Sequence, residues 1–230
     1  MRKAAVTAIL LALFALAALA TRAQFVGSRV RDDFHDTATI LRPPAGAKVA
    51  IIVFEDLGCP MCARAHPIEL QAAEQFHVPI VRHDFPIASH IWTFNGAVCA
   101  RYIEDKVNPK LAGEYRTAVF ASQSAIASKE DIQQFTIQWL QKHGQQMPFV
   151  LDPNGHLAAE VQADFDLGRR LNVTHTPTIV VVTRDNYQMV CGNETLTDPT
   201  QLFPILRAAI AQANAAPTPS QPKQPAKQSF

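Results

Sequence analysis

The sequence predicts an α/β fold in which two pieces of one sheet are separated along the chain by a block of helices. Three stretches carry that expectation. Val49 and Ile51 to Phe54 form a β-branched and aromatic run that reads as a strand buried on both faces, as in a mostly parallel sheet. From Ser89 to Gly144 apolar residues recur at helical spacing with no strand-like run among them. Ile179 to Val182 and Tyr187 to Val190, joined through Asp185-Asn186, read as a hairpin.

The chain has 230 residues, 48% hydrophobic and 18% charged, enough for one core and a subdomain. A net charge of +1 with both signs interspersed excludes a strong pull toward nucleic acid or anionic lipid. Arg2 and Lys3 precede an apolar run from Ala4 to Ala20 broken only by Thr7, and small residues follow. Residues 1–23 therefore read as a signal peptide or N-terminal anchor, residues 4–20 lying at the short limit for a bilayer span. Either way the folded part is exported, and the expected location is periplasmic or otherwise extracytoplasmic.

Residues 24–47 form a polar lead-in ending in the Pro43-Pro44-Ala45-Gly46 turn. Residues 48–88 hold a strand (48–55), a helix (59–76) and a second strand (78–85), a βαβ unit with a right-handed crossover. On that helix Ala65, Ile68, Ala72 and Phe76 form the apolar stripe, with Arg64, Glu69 and Glu74 between them. Pro67 lies in its interior, where a proline removes a backbone bond and kinks the axis. Residues 89–150 form the helical insertion. Its first helix carries Ile91, Phe94, Val98 and Tyr102 on one face, and its third starts at a capping-box-like Ser128 and Asp131; Trp92 and Trp139 read as its core. Residues 151–213 supply another helix, the hairpin and a last amphipathic helix after Asp198-Pro199. Residues 214–230, rich in proline and polar spacers, read as a disordered tail.

The chemistry lies where the first strand hands over to the first helix, at Cys59-Pro60-Met61-Cys62. A thiol at a helix N-terminus faces unpaired N–H donors and the positive end of the macrodipole, both favouring thiolate. A thiol of pKa about 8.5 is only a few per cent ionised at pH 7, whereas one brought to roughly 3.5–7.5 is largely thiolate. Pro60 suits the first helical turn, where a missing N–H costs nothing. Cys62, one turn on, is placed to close a disulfide with Cys59 or resolve a mixed one. A zinc site would want a second cysteine pair, and the remaining cysteines, Cys99 and Cys191, stand apart in sequence.

The segments Phe54-x-Asp56-x-x-Cys59-Pro60-x-Cys62, Asp84-Phe85-Pro86 with His90, and Val173-x-x-Thr176-Pro177-Thr178 resemble those of the DsbA-like thiol-disulfide oxidoreductases, over roughly residues 37–212. That resemblance implies a thioredoxin-like fold with an inserted helical subdomain. It implies that Cys59 is the exposed attacking thiol, Cys62 the buried resolving one, and Pro177 a cis-proline packed against the disulfide. Thr176 then tunes the site and pairs with an extended substrate chain, and Pro67 is the kinking proline of the family's helix. The implied partners are unfolded or reduced exported proteins, with a membrane redox partner of the DsbB or vitamin K epoxide reductase type. A monomer needing no cofactor and no metal is expected. Family members often carry a buried acid six residues before the first cysteine to help proton transfer from the second. Here that position is Val53, so Glu55 and Asp56 are the candidates to replace it.

Several readings stay open at this level. Cys99 and Cys191 are either a second disulfide or two buried thiols. His66 either faces the sulfurs or is solvated on the helix, and His175 lines the site rim or stands clear of it. His83 and His90 read as strand-end and helix-cap residues. For function, an oxidase stands against a reductase or isomerase of the same fold. From other classes come a Cu(I)-binding chaperone using Cys59, Cys62 and His66, and a binding module whose cysteines are idle.

Overall fold

A computed structural model describes residues 28–29, 41–192 and 198–215. The signal or anchor segment, most of the lead-in and the tail beyond residue 215 lie outside the described residues. In chain order the elements are β1 (Ser28–Arg29), β2 (Val49–Glu55), α1 (Pro60–Phe76), β3 (Ile80–Asp84), α2 (Thr93–Lys106), α3 (Pro109–Ala121), a 3-10 turn (Gln123–Ala125), α4 (Lys129–Lys142), α5 (His156–Arg170), β4 (Thr178–Thr183), β5 (Asn186–Cys191), a second 3-10 turn (Pro199–Gln201) and α6 (Leu202–Asn214).

The strands form one sheet in the order β1-β5-β4-β2-β3. Every residue of β2 is buried, as its β-branched composition predicts. The sheet is nevertheless mixed rather than mostly parallel. β2 runs parallel only to β3, joined by the α1 crossover, and is antiparallel to β4, which continues as a hairpin into β5. The hairpin accounts for the antiparallel β4–β5 pair, because a tight turn can only join antiparallel strands.

Side chains alternate along β2 and divide the core in two. Val49, Ile51 and Val53 pack with Ala65 and Ala72 of α1 and with Leu202 and Leu206 of α6. Ala50, Ile52 and Phe54 pack on the other face with Phe85, Leu167 of α5 and Val173. Between β3 and α5 the chain builds α2, α3 and α4 around a separate core of Ile103, Tyr115, Val119, Ile132 and Leu140, with Trp92 and Trp139 in it. Leu57, Cys59 and Cys62 belong to that core as well, so the head of α1 is seated in the insertion while its body lies on the sheet.

Two helical stripes are rotated from their expected phase. In α1 the buried residues are Cys62, Ala65, His66, Glu69 and Ala72, so Glu69 lies inside and Ile68 is displaced to the edge. In α2 they are Thr93, Gly96, Ala97, Cys99, Ala100 and Ile103, while Ile91 precedes the helix and is 61% exposed. In α2 Gly96 takes the inner face because Leu57 and Ile132 approach it closely, and in α1 pairing with Arg82 holds the glutamate inside.

Candidate active site

β2 ends at Glu55, and Asp56 turns the chain. Asp56 Oδ1 accepts from the Gly58 amide at 2.7 Å, and its carbonyl accepts from the Cys59 amide at 3.0 Å. Its second oxygen accepts from the Ile87 amide at 2.6 Å and from His90 Nδ1 at 2.9 Å. One carboxyl group thus ties the cysteine turn to the segment after β3. Burial raises the Asp56 pKa, opposed by the Ile87, His90 and Gly58 bonds. Gly58 is demanded by space, since a β-carbon there would lie 2.5 Å from Thr93 Cγ2.

Cys59 is the N-cap of α1, with extended backbone at φ −79° and ψ 120°, and Pro60 stands in the first helical turn. Its thiol pKa is lowered from the usual 9.0 to about 5. The largest cause is a hydrogen bond from the Cys62 thiol, which outweighs the desolvation that pushes the other way; Thr176 and the Cys62 and Met61 amides add to it. The helix N-terminus therefore contributes, but the partner cysteine contributes most. Cys59 is only 6% exposed, more covered than an exposed attacking thiol was expected to be. Met61 packs against the insertion core. Cys62 is 1% exposed, and its pKa is driven well above the ordinary value by burial, by the bond to Cys59 and by the charge of that sulfur. The two sulfurs are thus pushed apart in acidity, one toward thiolate and one toward thiol.

The Thr176–Pro177 bond is cis, in the loop before β4. Thr176 acts on Cys59 in both directions. Its carbonyl accepts from the Cys59 thiol at 3.2 Å, favouring the neutral form, while its side chain lowers the Cys59 pKa. The Thr176 hydroxyl is buried and, among the described residues, meets no hydrogen-bond partner, so it is at the disposal of a thiolate. His175 is exposed on the same loop, its ring 2.9 Å from Thr174 Oγ1 and its carbonyl accepting from Thr178 Oγ1. Beside the cysteine turn runs a groove of roughly 230 Å³ lined by Pro86, Ile87, His90, Ile91 and Phe165 among others.

Val53 is buried in the sheet core facing α1. Alternation places Glu55 on the same sheet face, two residues nearer the cysteines, whereas Asp56 is taken up in its three bonds. Glu55 is 2% exposed and its charge acts on Cys62. It belongs to a buried ionic network. Arg82 on β3 pairs with both Glu55 and Glu69, the latter at 3.0 Å. Arg116 on α3 reaches Glu55 at 3.2 Å and Asp84 at 2.7 Å, and Arg101 on α2 joins Asp84 at 2.8 Å to Asp164 of α5. Glu69, desolvated and sharing Arg82 with Glu55, has its pKa raised to about 7.

His66 is buried rather than solvated. It is 3% exposed, with Nε2 2.8 Å from Thr117 Oγ1 and its ring tilted on Phe120. Burial, aided by Arg82, lowers its pKa to about 4, so it is neutral. One ligand atom each of Glu55, His66 and Glu69 lie within 4.8 Å of one another. Arg82 already stands between the two carboxylates, a fixed cation where an ion would sit, so this set fits an arginine clamp better than a metal. His83 pairs with Asp164 at 2.7 Å and stacks on Phe54. Cys99 and Cys191 are not brought together. Cys99 lies in the insertion core beside Tyr115 and Thr136, and Cys191 on the α6 side of the sheet.

Sequence reasoning missed Glu69, Arg82, Arg116 and Gln123, whose side chain donates to the Leu57 and Cys59 carbonyls at 2.6 and 3.1 Å. The signal for Glu69 was its spacing of seven from Cys62, which keeps it on the same helix face. Arg82 was signalled only as a charge in a strand. Nothing in the sequence marked Gln123.

With fold and site in view, comparison with known proteins is direct. The family model described as Thioredoxin matches residues 40–190, so the chain belongs to the thioredoxin family. Among solved structures, Wolbachia pipientis alpha-DsbA1 aligns at 14% identity over 74% of this chain and 90% of its own, with a TM-score of 0.59. Pseudomonas aeruginosa DsbA2 aligns at 18% identity over 74% and 91%, TM-score 0.53, and Proteus mirabilis ScsC at 16% over 92% and 94%, TM-score 0.57. A search of the curated proteins gives no match. The fold is a thioredoxin fold of the DsbA-like type, with α2–α4 as the helical insertion.

Proposed function

We propose that this protein is an exported thiol-disulfide oxidoreductase that passes its Cys59–Cys62 disulfide to protein substrates, working as an oxidase. The observation that carries the reading is the opposed acidity of two adjacent thiols at a helix N-terminus, Cys59 lowered to about 5 and Cys62 raised. A substrate thiolate attacks Cys59 Sγ in the disulfide. The S–S bond breaks, its electron pair leaves on Cys62, and a mixed disulfide forms. A second substrate thiolate then attacks the substrate sulfur and expels Cys59, which leaves readily as a stable thiolate. The substrate is oxidised, and the pair is reduced by two electrons.

In the reduced state Cys62 takes up a proton and donates it in a hydrogen bond to the Cys59 sulfur, and its charge-neutral form suits its burial. When the pair is reoxidised that proton must leave. Glu55, on the sheet face Val53 shares, together with Glu69 across Arg82, is the nearby group of acids to receive it. The groove at Ile87, His90 and Ile91 would take an unfolded chain beside the cysteine turn, and a membrane protein of the DsbB or vitamin K epoxide reductase type would restore the disulfide. Residues 1–23 would deliver the chain to, or hold it at, the far side of the membrane; among the described residues no helix is long and apolar enough to cross one.

Trapping tests the reading. The Cys62→Ala variant should accumulate mixed disulfides through Cys59 with reduced exported proteins and with the recycling enzyme. A reduction potential as low as about −270 mV against glutathione would overturn the oxidase direction, and a Cys59→Ser variant with unchanged activity would overturn the chemistry.

A further inference from the structure

The 3-10 turn Gln123–Ala125 closes α3, far in sequence from the cysteines. Yet the Gln123 side-chain amide Nε2 donates to the Leu57 carbonyl at 2.6 Å and to the Cys59 carbonyl at 3.1 Å. Those two carbonyls bracket Gly58, the residue that lets the strand turn into the helix. The Cys59 carbonyl also accepts the first helical bond of α1, from the Ala63 amide at 3.1 Å. Asp56 grips the same turn from the other side, through Gly58, Ile87 and His90. The cysteine turn is therefore clamped between the sheet and the insertion, and Gln123 is the insertion's half of the clamp.

We propose that Gln123 is a positioning residue for the redox pair, through which the helical insertion sets the reactivity of the attacking thiol. Two effects follow from its place. The partial negative charges of the Leu57 and Cys59 carbonyl oxygens lie within two peptide units of the Cys59 sulfur and oppose a thiolate there. The amide hydrogens of Gln123 offset them. Fixing the Cys59 carbonyl also holds the N-cap geometry that aims the Met61 and Cys62 amides at the sulfur, both of which favour its charge. Gln123 donates to backbone carbonyls and not to a sulfur, and transfers nothing itself, so it acts through Cys59 ionisation.

This inference rests on the reading of Cys59 as an acidic attacking thiol, and one titration separates the two. The full chain, reduced, is alkylated with iodoacetamide across a pH series, as the parent and as the Gln123→Ala and Gln123→Glu variants. Gln123→Ala should shift the Cys59 midpoint upward by roughly half to one pH unit, slowing alkylation about three- to tenfold below the midpoint. Gln123→Glu keeps the side-chain shape but, once ionised, replaces a donor with a negative charge, and should shift it further. A purely structural residue would lower the thermal midpoint of both variants and leave the titration in place. If the parent titrates near 5 and either variant titrates with it, the proposal for Gln123 is overturned and the function stands. If the parent titrates near 9, both fall.

Discussion

The dependence of Cys59 on its partner can be tested by removing the partner. Replacing Cys62 with alanine deletes the largest contribution to Cys59 acidity and leaves the helix N-terminus and Thr176 in place. A hydrogen bond to a charged group contributes about 1.5–3 kcal/mol, and one pKa unit corresponds to about 1.4 kcal/mol. The midpoint should therefore rise by roughly one to two units from about 5. At pH 7 the thiolate fraction would fall from nearly all to between about half and nine-tenths. Cys62→Ser, which retains a hydroxyl donor at the same atom, should titrate closer to the parent. The assay is the ultraviolet absorbance of the thiolate followed through a pH titration, with alkylation rate as a cross-check. If the alanine variant still titrates near 5, the thiol–thiol bond is not what makes Cys59 acidic, and the backbone amides must carry the effect. The same shift bears on electron flow. The lowered pKa stabilises the dithiol fully above about pH 9, and that stabilisation is lost as pH falls through about 5. At pH 7 the two units between 5 and 7 correspond to at most about 2.7 kcal/mol, or roughly 60 mV toward the oxidising side, with solvent screening reducing both.

Three further outcomes follow from the buried charges and the turn. Glu69 is raised to about 7 from the usual 4.5, so it favours folding below about 4.5 and that advantage is lost as pH rises to 7. Glu69→Gln should flatten the slope, by an amount on the order of 2–3 kcal/mol across that window in chemical denaturation; an unchanged slope would refute the protonated-glutamate account. Arg116→Met leaves Asp84 and Glu55 short of a cation in the interior and should destabilise the protein by about 3–5 kcal/mol, measured the same way. Gly58→Ala drives a methyl group into Thr93 and should cost about 1–3 kcal/mol while slowing Cys59 alkylation. A variant as stable and reactive as the parent would show that the turn is not held by α2.

The local chemistry was written in the sequence wherever it depends on neighbours along the chain. The β-branched run of β2, Pro60 in the first helical turn, the capping pair Ser128 and Asp131 and the spacing of Cys59 and Cys62 each act within a few residues, so composition and period reveal them. The thiol at the head of a helix followed in the same way, and so did the direction of its acidity. What the sequence left undecided depends on which distant segments meet. The sheet proved mixed because β4 and β5 enter beside β2, which no feature of β2 itself records. Glu69 looked like a solvated helix residue and His66 could equally have faced solvent, yet Arg82 from a neighbouring strand draws Glu69 into a buried ionic network, and Thr117 of the insertion gives the neutral His66 ring a partner inside. Cys99 and Cys191 fall into separate cores for the same reason, since only the path of the insertion decides which apolar cluster each one joins.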